Sequence, residues 1–186
     1  VAASGGYFAA LGANEIFANP GTLTGSIGVI LKFANIKQIL DKVGYKAEVI
    51  KSGKNKDIGS FSRDMTDGER SLLQALIDNV HGQFMQAVSE SRGLPMETVR
   101  PMADGRIFTG TQALERDLID SLGNFTDAAQ QAAKLEGLPQ NNLNLIYPSE
   151  NEFSLLKIIA GDKAQGLVDR HMSSSSAIMY EWSLSN

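Results

Sequence analysis

The chain has 186 residues, 42% of them hydrophobic and 20% charged, which suits a globular protein able to bury a core without metal or disulfide staples. Its 21 acidic and 17 basic side chains leave a formal charge of −4, excluding the broad basic face that a general nucleic-acid binder needs. Cysteine is absent, so disulfides, thiolate nucleophiles and cysteine-ligated zinc are excluded, and no apolar run reaches the ~18 residues of a membrane-spanning helix. The opening Val1-Ala2-Ala3-Ser4-Gly5-Gly6 does not itself read as a signal peptide. A chain that opens on a functional-looking turn leads us to expect an N-terminal segment that is missing, processed away or carried on another chain.

Ser4 to Ala13 reads as a helix whose first turn holds Ser4, Gly5 and Gly6. Glu15–Ala18 is a short strand, Asn19-Pro20-Gly21 a turn, and the mostly apolar Ser26–Phe33 a buried strand. Ile36, Ile39, Leu40 and Val43 are spaced for a helix that stops at Gly44, and Lys46–Ile50 is the next strand. This strand–helix–strand order predicts an α/β architecture. Lys51–Asp64, rich in Gly, Ser and Lys, is a loop. Thr66 and Glu69 then form a capping box for a long helix with an apolar stripe of Leu73, Leu76, Ile77, Val80, Phe84 and Val88, ending at Gly93. Arg106–Phe108 is a brief strand, and Thr111–Leu118 and Asn124–Leu135 are helices. Further on are a strand at Leu143–Tyr147 and helical stretches at Glu152–Ile159 and Lys163–Val168. Ser173–Ser176 form a flexible joint before a last amphipathic strand over 177–184.

Ser4 stands where a helix begins, beside unpaired backbone N–H groups that stabilise negative charge growing on a carbonyl oxygen. The bland alternative is an N-cap serine followed by packing glycines. A nucleophilic serine needs a base. His81 falls at the flank of the long helix's apolar stripe and His171 abuts the serine tract, and no motif places an acid to orient either one. Lysine serves only when neutral, and the loop after Ile50 offers Lys51, Lys54 and Lys56, whose mutual crowding disfavours protonation. The residues alone do not choose among the three, and a solvated basic loop is the plainer reading.

Several spaced motifs make the choice. Ala2-Ala3-Ser4-Gly5-Gly6-Tyr7, Asn19-Pro20 and Thr22-Leu23-Thr24-Gly25-Ser26-Ile27-Gly28-Val29 resemble the signal peptide peptidase A family of Ser–Lys proteases. So do Lys51-Ser52-Gly53 with Lys56-Asp57-Ile58, Arg63-Asp64-Met65-Thr66, Ala103-Asp104-Gly105-Arg106 and Thr109-Gly110, in family order over roughly residues 1–125. The resemblance implies Ser4 as nucleophile, Lys56 as general base, Ser26 as the serine that positions the lysine, and the Gly5 N–H as half of an oxyanion hole. The other half comes, in that family, from a glycine upstream of the nucleophile, in a region outside this sequence.

The implied fold is α/β: a crotonase- or Clp-protease-like curved, parallel-rich sheet with flanking helices, lacking its N-terminal part, in a single protease domain over 1–186. The implied activity is endopeptidase cleavage of remnant signal peptides or other hydrophobic peptides, with no metal or organic cofactor. Implied partners are the peptide substrate and further copies of the chain in a homo-oligomer, with active sites shared between subunits and no nucleic acid. The family's place is the bacterial cell membrane, with the catalytic domain on its extracytoplasmic side and an N-terminal membrane anchor outside this sequence. Two alternatives stay open: a Ser-His-Asp peptidase of related fold, and a non-catalytic oligomeric scaffold or peptide-binding fragment.

Overall fold

The computed structural model describes residues 1–140 together with Leu143, Leu145 and Ile146. Among them, Val1–Gly123 belong to one compact unit and the residues from Asn124 onward to a second. His171, the helices expected after Glu152, the serine tract and the last strand lie outside the described residues. Of the strand expected at Leu143–Tyr147, only Leu143, Leu145 and Ile146 are described, and none of them is in a strand.

The first unit mixes short strands and helices, as the α/β expectation requires. Strand β1 (Ala2–Ala3) lies parallel to β3 (Leu23–Gly25), and β4 (Ile107–Thr109) pairs antiparallel on the other side of β3. Strand β2 (Phe17–Ala18) forms a separate parallel pair with β5 (Ser121–Leu122). Helices α1 (Gly5–Ala10), α2 (Lys37–Lys42), α3 (Asp67–Arg92), α4 (Met96–Val99) and α5 (Gly110–Leu114) complete this unit, with a 3₁₀ turn at Arg100–Met102.

Local chemistry explains the best-formed elements. Thr66 accepts from the Glu69 N–H while the Glu69 carboxylate accepts from the Thr66 N–H, so α3 starts on the expected capping box. It ends at Gly93, whose φ of 62° places it in the left-handed region that glycine enters without a Cβ clash. Thr109 and Gln112 cap α5 in the same way. In the second unit, Asn124 and Asp127 cap α6 (Phe125–Leu135).

One core serves the first unit. Tyr7 and Leu11 of α1, Phe84, Met85 and Val88 of α3, Ile27, Val99, Phe108, Ala113 and Leu118 are buried together. Phe8 and Phe84 meet edge to face with ring centroids 5.2 Å apart. Tyr7 donates its hydroxyl to the Leu118 carbonyl at 2.7 Å, and burial pushes that hydroxyl well above the usual phenol range. Arg92 grips Asp120 through two nitrogens at 2.7 and 2.9 Å, and Asp120 also accepts the Ile16 N–H at 2.7 Å. The C-terminal end of α3 is thereby tied to the residues just before β2 and β5.

Three expectations need correction. Ser26–Phe33 is not a buried strand: β3 ends at Gly25, only a single-residue bridge appears at Ile30, and Ile30 and Phe33 are exposed. Gly25 and Ser26 have φ of 74° and 51°, so the backbone leaves extended conformation there. Lys46–Ile50 forms no strand, because no strand pairs with it among the described residues, and Val49 and Ile50 are exposed. The stripe on α3 is only half used, since Phe84 and Val88 are buried whereas Leu76 remains exposed. The helices packing on α3 within the first unit are α1 and α4.

Candidate active site

Ser4 occupies the turn between β1 and α1. Its N–H donates to the Gly25 carbonyl at 2.7 Å, tying it to the end of β3, and its carbonyl accepts from the Phe8 N–H at 2.9 Å, opening the helix. Between those two bonds the backbone is held at φ 52°, ψ −117°, a conformation costly for any residue with a Cβ. The side chain makes no capping hydrogen bond, so Ser4 is not spent on helix α1. The residue is 3% exposed. A serine on a strained strand-to-helix turn, with a hydroxyl free of structural duty, is placed to present that hydroxyl to a ligand.

The parallel register brings Ser26 alongside. Ala3 pairs with Gly25, so Ser4 and Ser26 are the next residues of two adjacent, co-directional strands. Ser26, expected at the opening of a strand, instead follows the end of β3. Its N–H donates to the Arg106 carbonyl at 2.8 Å, and Gly105 N–H donates to the Ile27 carbonyl at 3.1 Å, so the segment after β4's partner edge stays closed. Gly25 fits only as glycine: beyond its positive φ, a Cβ there would stand 2.5 Å from Cδ2 of Phe108.

Ser4 and Ser26 open onto one cavity of about 350 Å³, which Gly28, Val29, Ile30, Ala103, Asp104, Gly105 and His81 also line. Gly5, as first residue of α1, carries an N–H with no carbonyl one turn earlier within the helix. Ser4, Gly5 and Ser26 are therefore gathered at one end of the β1–β3 pair. Lys56 is not with them: it is exposed, in the turn between Gly53 and Gly59, and does not line this cavity. Of the other lysines in that loop, Lys51 pairs with Asp57 at 2.5 Å and Lys54 is exposed.

His81 is the residue whose place the sequence reading undervalued. The spacing puts it at the edge of the α3 stripe, and in the structure it reaches the Ser4 cavity, with an Nε2 atom that is buried without a hydrogen-bond partner. The signal was present in the spacing, since His81 precedes Phe84, Met85 and Val88 by three, four and seven residues, on the face that enters the core. Asp104 lines the same cavity but is held by Arg106, whose hydrogen bonds bring its carboxyl down to about 2. No cluster of side chains suited to holding a metal ion is found among the described residues.

The chain resembles known proteins over most of its length. The family model described as peptidase family S49 matches residues 1–139. A Synechocystis sp. protein named as the protease slr0021 is 48% identical over 162 residues, covering 87% of this chain and 58% of its own length. An Enterococcus faecium protein named as the signal peptide peptidase SppA is 37% identical over 133 residues, 72% of this chain and 39% of that protein. The chloroplastic serine protease SPPA of Arabidopsis thaliana is 34% identical over 163 residues, 87% of this chain and 24% of that protein. The chain thus spans between about a quarter and three fifths of the length of these relatives.

Proposed function

Since the chain belongs to peptidase family S49, we propose that it carries the nucleophile and general base of a serine endopeptidase, Ser4 and Lys56, acting across two copies of the chain. The observation that carries this reading is the strained, uncapped Ser4 beside Ser26. Lys56 lies outside its own chain's Ser4 cavity, which favours a lysine supplied by a neighbouring copy.

In the reaction, the neutral Lys56 amine takes the proton of Ser4 Oγ as that oxygen attacks the scissile carbonyl carbon. The carbonyl electron pair moves to oxygen, where the Gly5 N–H receives it. Collapse of the tetrahedral intermediate breaks the C–N bond, the Lys56 ammonium gives its proton to the departing amine, and an acyl ester on Ser4 remains. Water, deprotonated by the same amine, then releases the acid. Ser26 directs the lysine by a hydrogen bond that adds no charge. The substrates are remnant signal peptides or other hydrophobic peptides, met on the outer face of the cytoplasmic membrane. No helix among the described residues is long and apolar enough to cross that membrane.

A second reading has its own observation: His81, not Lys56, lines the Ser4 cavity within one chain. Among the described residues a Ser4–His81 pair has no orienting acid, because Asp104 is engaged by Arg106 and His81 Nε2 has no partner. The two readings separate on two variants. Lys56→Ala is expected to lower kcat on a hydrophobic peptide roughly 10²–10⁴-fold, with a smaller loss in His81→Ala. Turnover retained in Lys56→Ala and lost in His81→Ala would establish the histidine instead.

A further inference from the structure

Arg63 ties the turn that carries Lys56 to the start of α3. Arg63 directs its Nε to Asp57 Oδ2 at 2.9 Å and its Nη2 to the Asp57 carbonyl at 3.1 Å. The same guanidinium forks onto Glu69, with Nη1 at 2.9 Å from Oε2 and Nη2 at 2.5 Å from Oε1, and Nη1 also donates to the Asp64 carbonyl at 3.1 Å. These acceptors match the five N–H donors of an arginine. Glu69 is 4% exposed and is itself fixed by the Thr66 N–H and hydroxyl at 2.9 and 3.0 Å, so it anchors the turn to the start of α3.

Asp57 directly follows Lys56. An unengaged carboxylate there would pair with the Lys56 ammonium and favour the charged form, the opposite of what a general base needs. Both of its oxygens are taken, Oδ1 by Lys51 Nζ at 2.5 Å and Oδ2 by Arg63. Lys51, Arg63, Asp57 and Glu69 sum to zero charge, leaving Lys54 and Lys56 as the uncompensated cations of the turn.

Resting on the Ser4–Lys56 reading, we propose that Arg63 is a positioning residue for Lys56: it locks the 53–59 turn onto α3 and withholds the Asp57 carboxylate from the lysine. The titratable and charged groups around this turn are its own Lys54 and Asp57, Lys51 and Arg63 from the loop, Glu69 from α3, and Asp41, Tyr45 and Lys46, which line one cavity with Asp57. The hydrogen bonds from Arg63 and Lys51 hold the Asp57 carboxyl below the usual carboxylate range, so it stays ionised throughout the working range. Freed from Arg63, it raises the proton affinity of Lys56, and a rate that needs the neutral amine then requires higher pH.

The test is the pH–kcat profile of the full protein on a hydrophobic peptide. Arg63→Ala is expected to lower kcat at pH 7 at least about tenfold with little change in KM, and to move the acidic limb up by roughly one pH unit. Adding Asp57→Asn to Arg63→Ala is expected to bring the limb back down. Arg63→Lys, which keeps the charge but has only three donors, is expected to shift the limb the same way by less, and gives the reading if Arg63→Ala does not fold. A limb that stays in place in both Arg63 variants, whatever happens to kcat, overturns the positioning role. Lys56→Ala run beside them separates the two levels: if it turns over like the parent, the lysine base fails and this inference with it.

Discussion

Ser4→Ala is expected to lower kcat by roughly 10⁴–10⁶-fold while leaving the fold intact, because the hydroxyl makes no capping bond for alanine to lose. The backbone bonds that fix the turn, from Ser4 N–H to Gly25 and from Phe8 N–H to Ser4, are independent of the side chain. Ser4→Gly carries the point further. At φ 52° a glycine avoids the Cβ penalty, so this variant is expected to be as inactive as alanine yet more stable than it by about 1 kcal/mol. A stabilised, inactive variant marks a residue kept for chemistry at a cost in stability. Urea denaturation beside peptide turnover checks both halves. Activity retained in either variant removes Ser4 from the mechanism.

The second large effect concerns where the lysine comes from. Ser4 and Ser26 share a cavity that Lys56 of the same chain does not line, so Ser4→Ala and Lys56→Ala copies are expected to complement each other. Each is inactive alone. Mixed at equal amounts under conditions that exchange subunits, they assemble sites in which an intact Ser4 meets an intact Lys56 of the neighbour. Random mixing gives about a quarter of the parent activity in a cyclic, head-to-tail assembly. A mixture as silent as its components, after exchange is verified by mass, places the lysine and serine in one chain.

Local signals were legible in the sequence, and long-range partnerships were not. Thr66 with Glu69 and the terminal Gly93 bounded α3 correctly, since capping depends on residues three or four apart. Ser26–Phe33 looked like a buried strand on composition, but strands exist only by pairing, and the positive φ of Gly25 and Ser26 ends β3 before that run begins. The Lys46–Ile50 segment misled in the same way. At the site, a Ser-Gly-Gly turn by itself favours the capping reading, and the catalytic one came from motif resemblance. In the structure the Ser4 side chain makes no capping bond, which speaks against the capping role. His81 is visible in the sequence as a candidate base, but its place in the Ser4 cavity, like the Arg63 clamp on Asp57 and Glu69, arises from long-range packing that spacing does not reveal.

The nucleophile itself can be read directly. Treating the full protein with a fluorophosphonate, digesting it and mapping the adduct by tandem mass spectrometry is expected to place one phosphonyl group on Ser4. Labelling should be lost in Ser4→Ala and strongly slowed in Lys56→Ala. An adduct on another serine, or Ser4 left unmodified in protein that hydrolyses peptides, contradicts the assignment of Ser4 as the nucleophile.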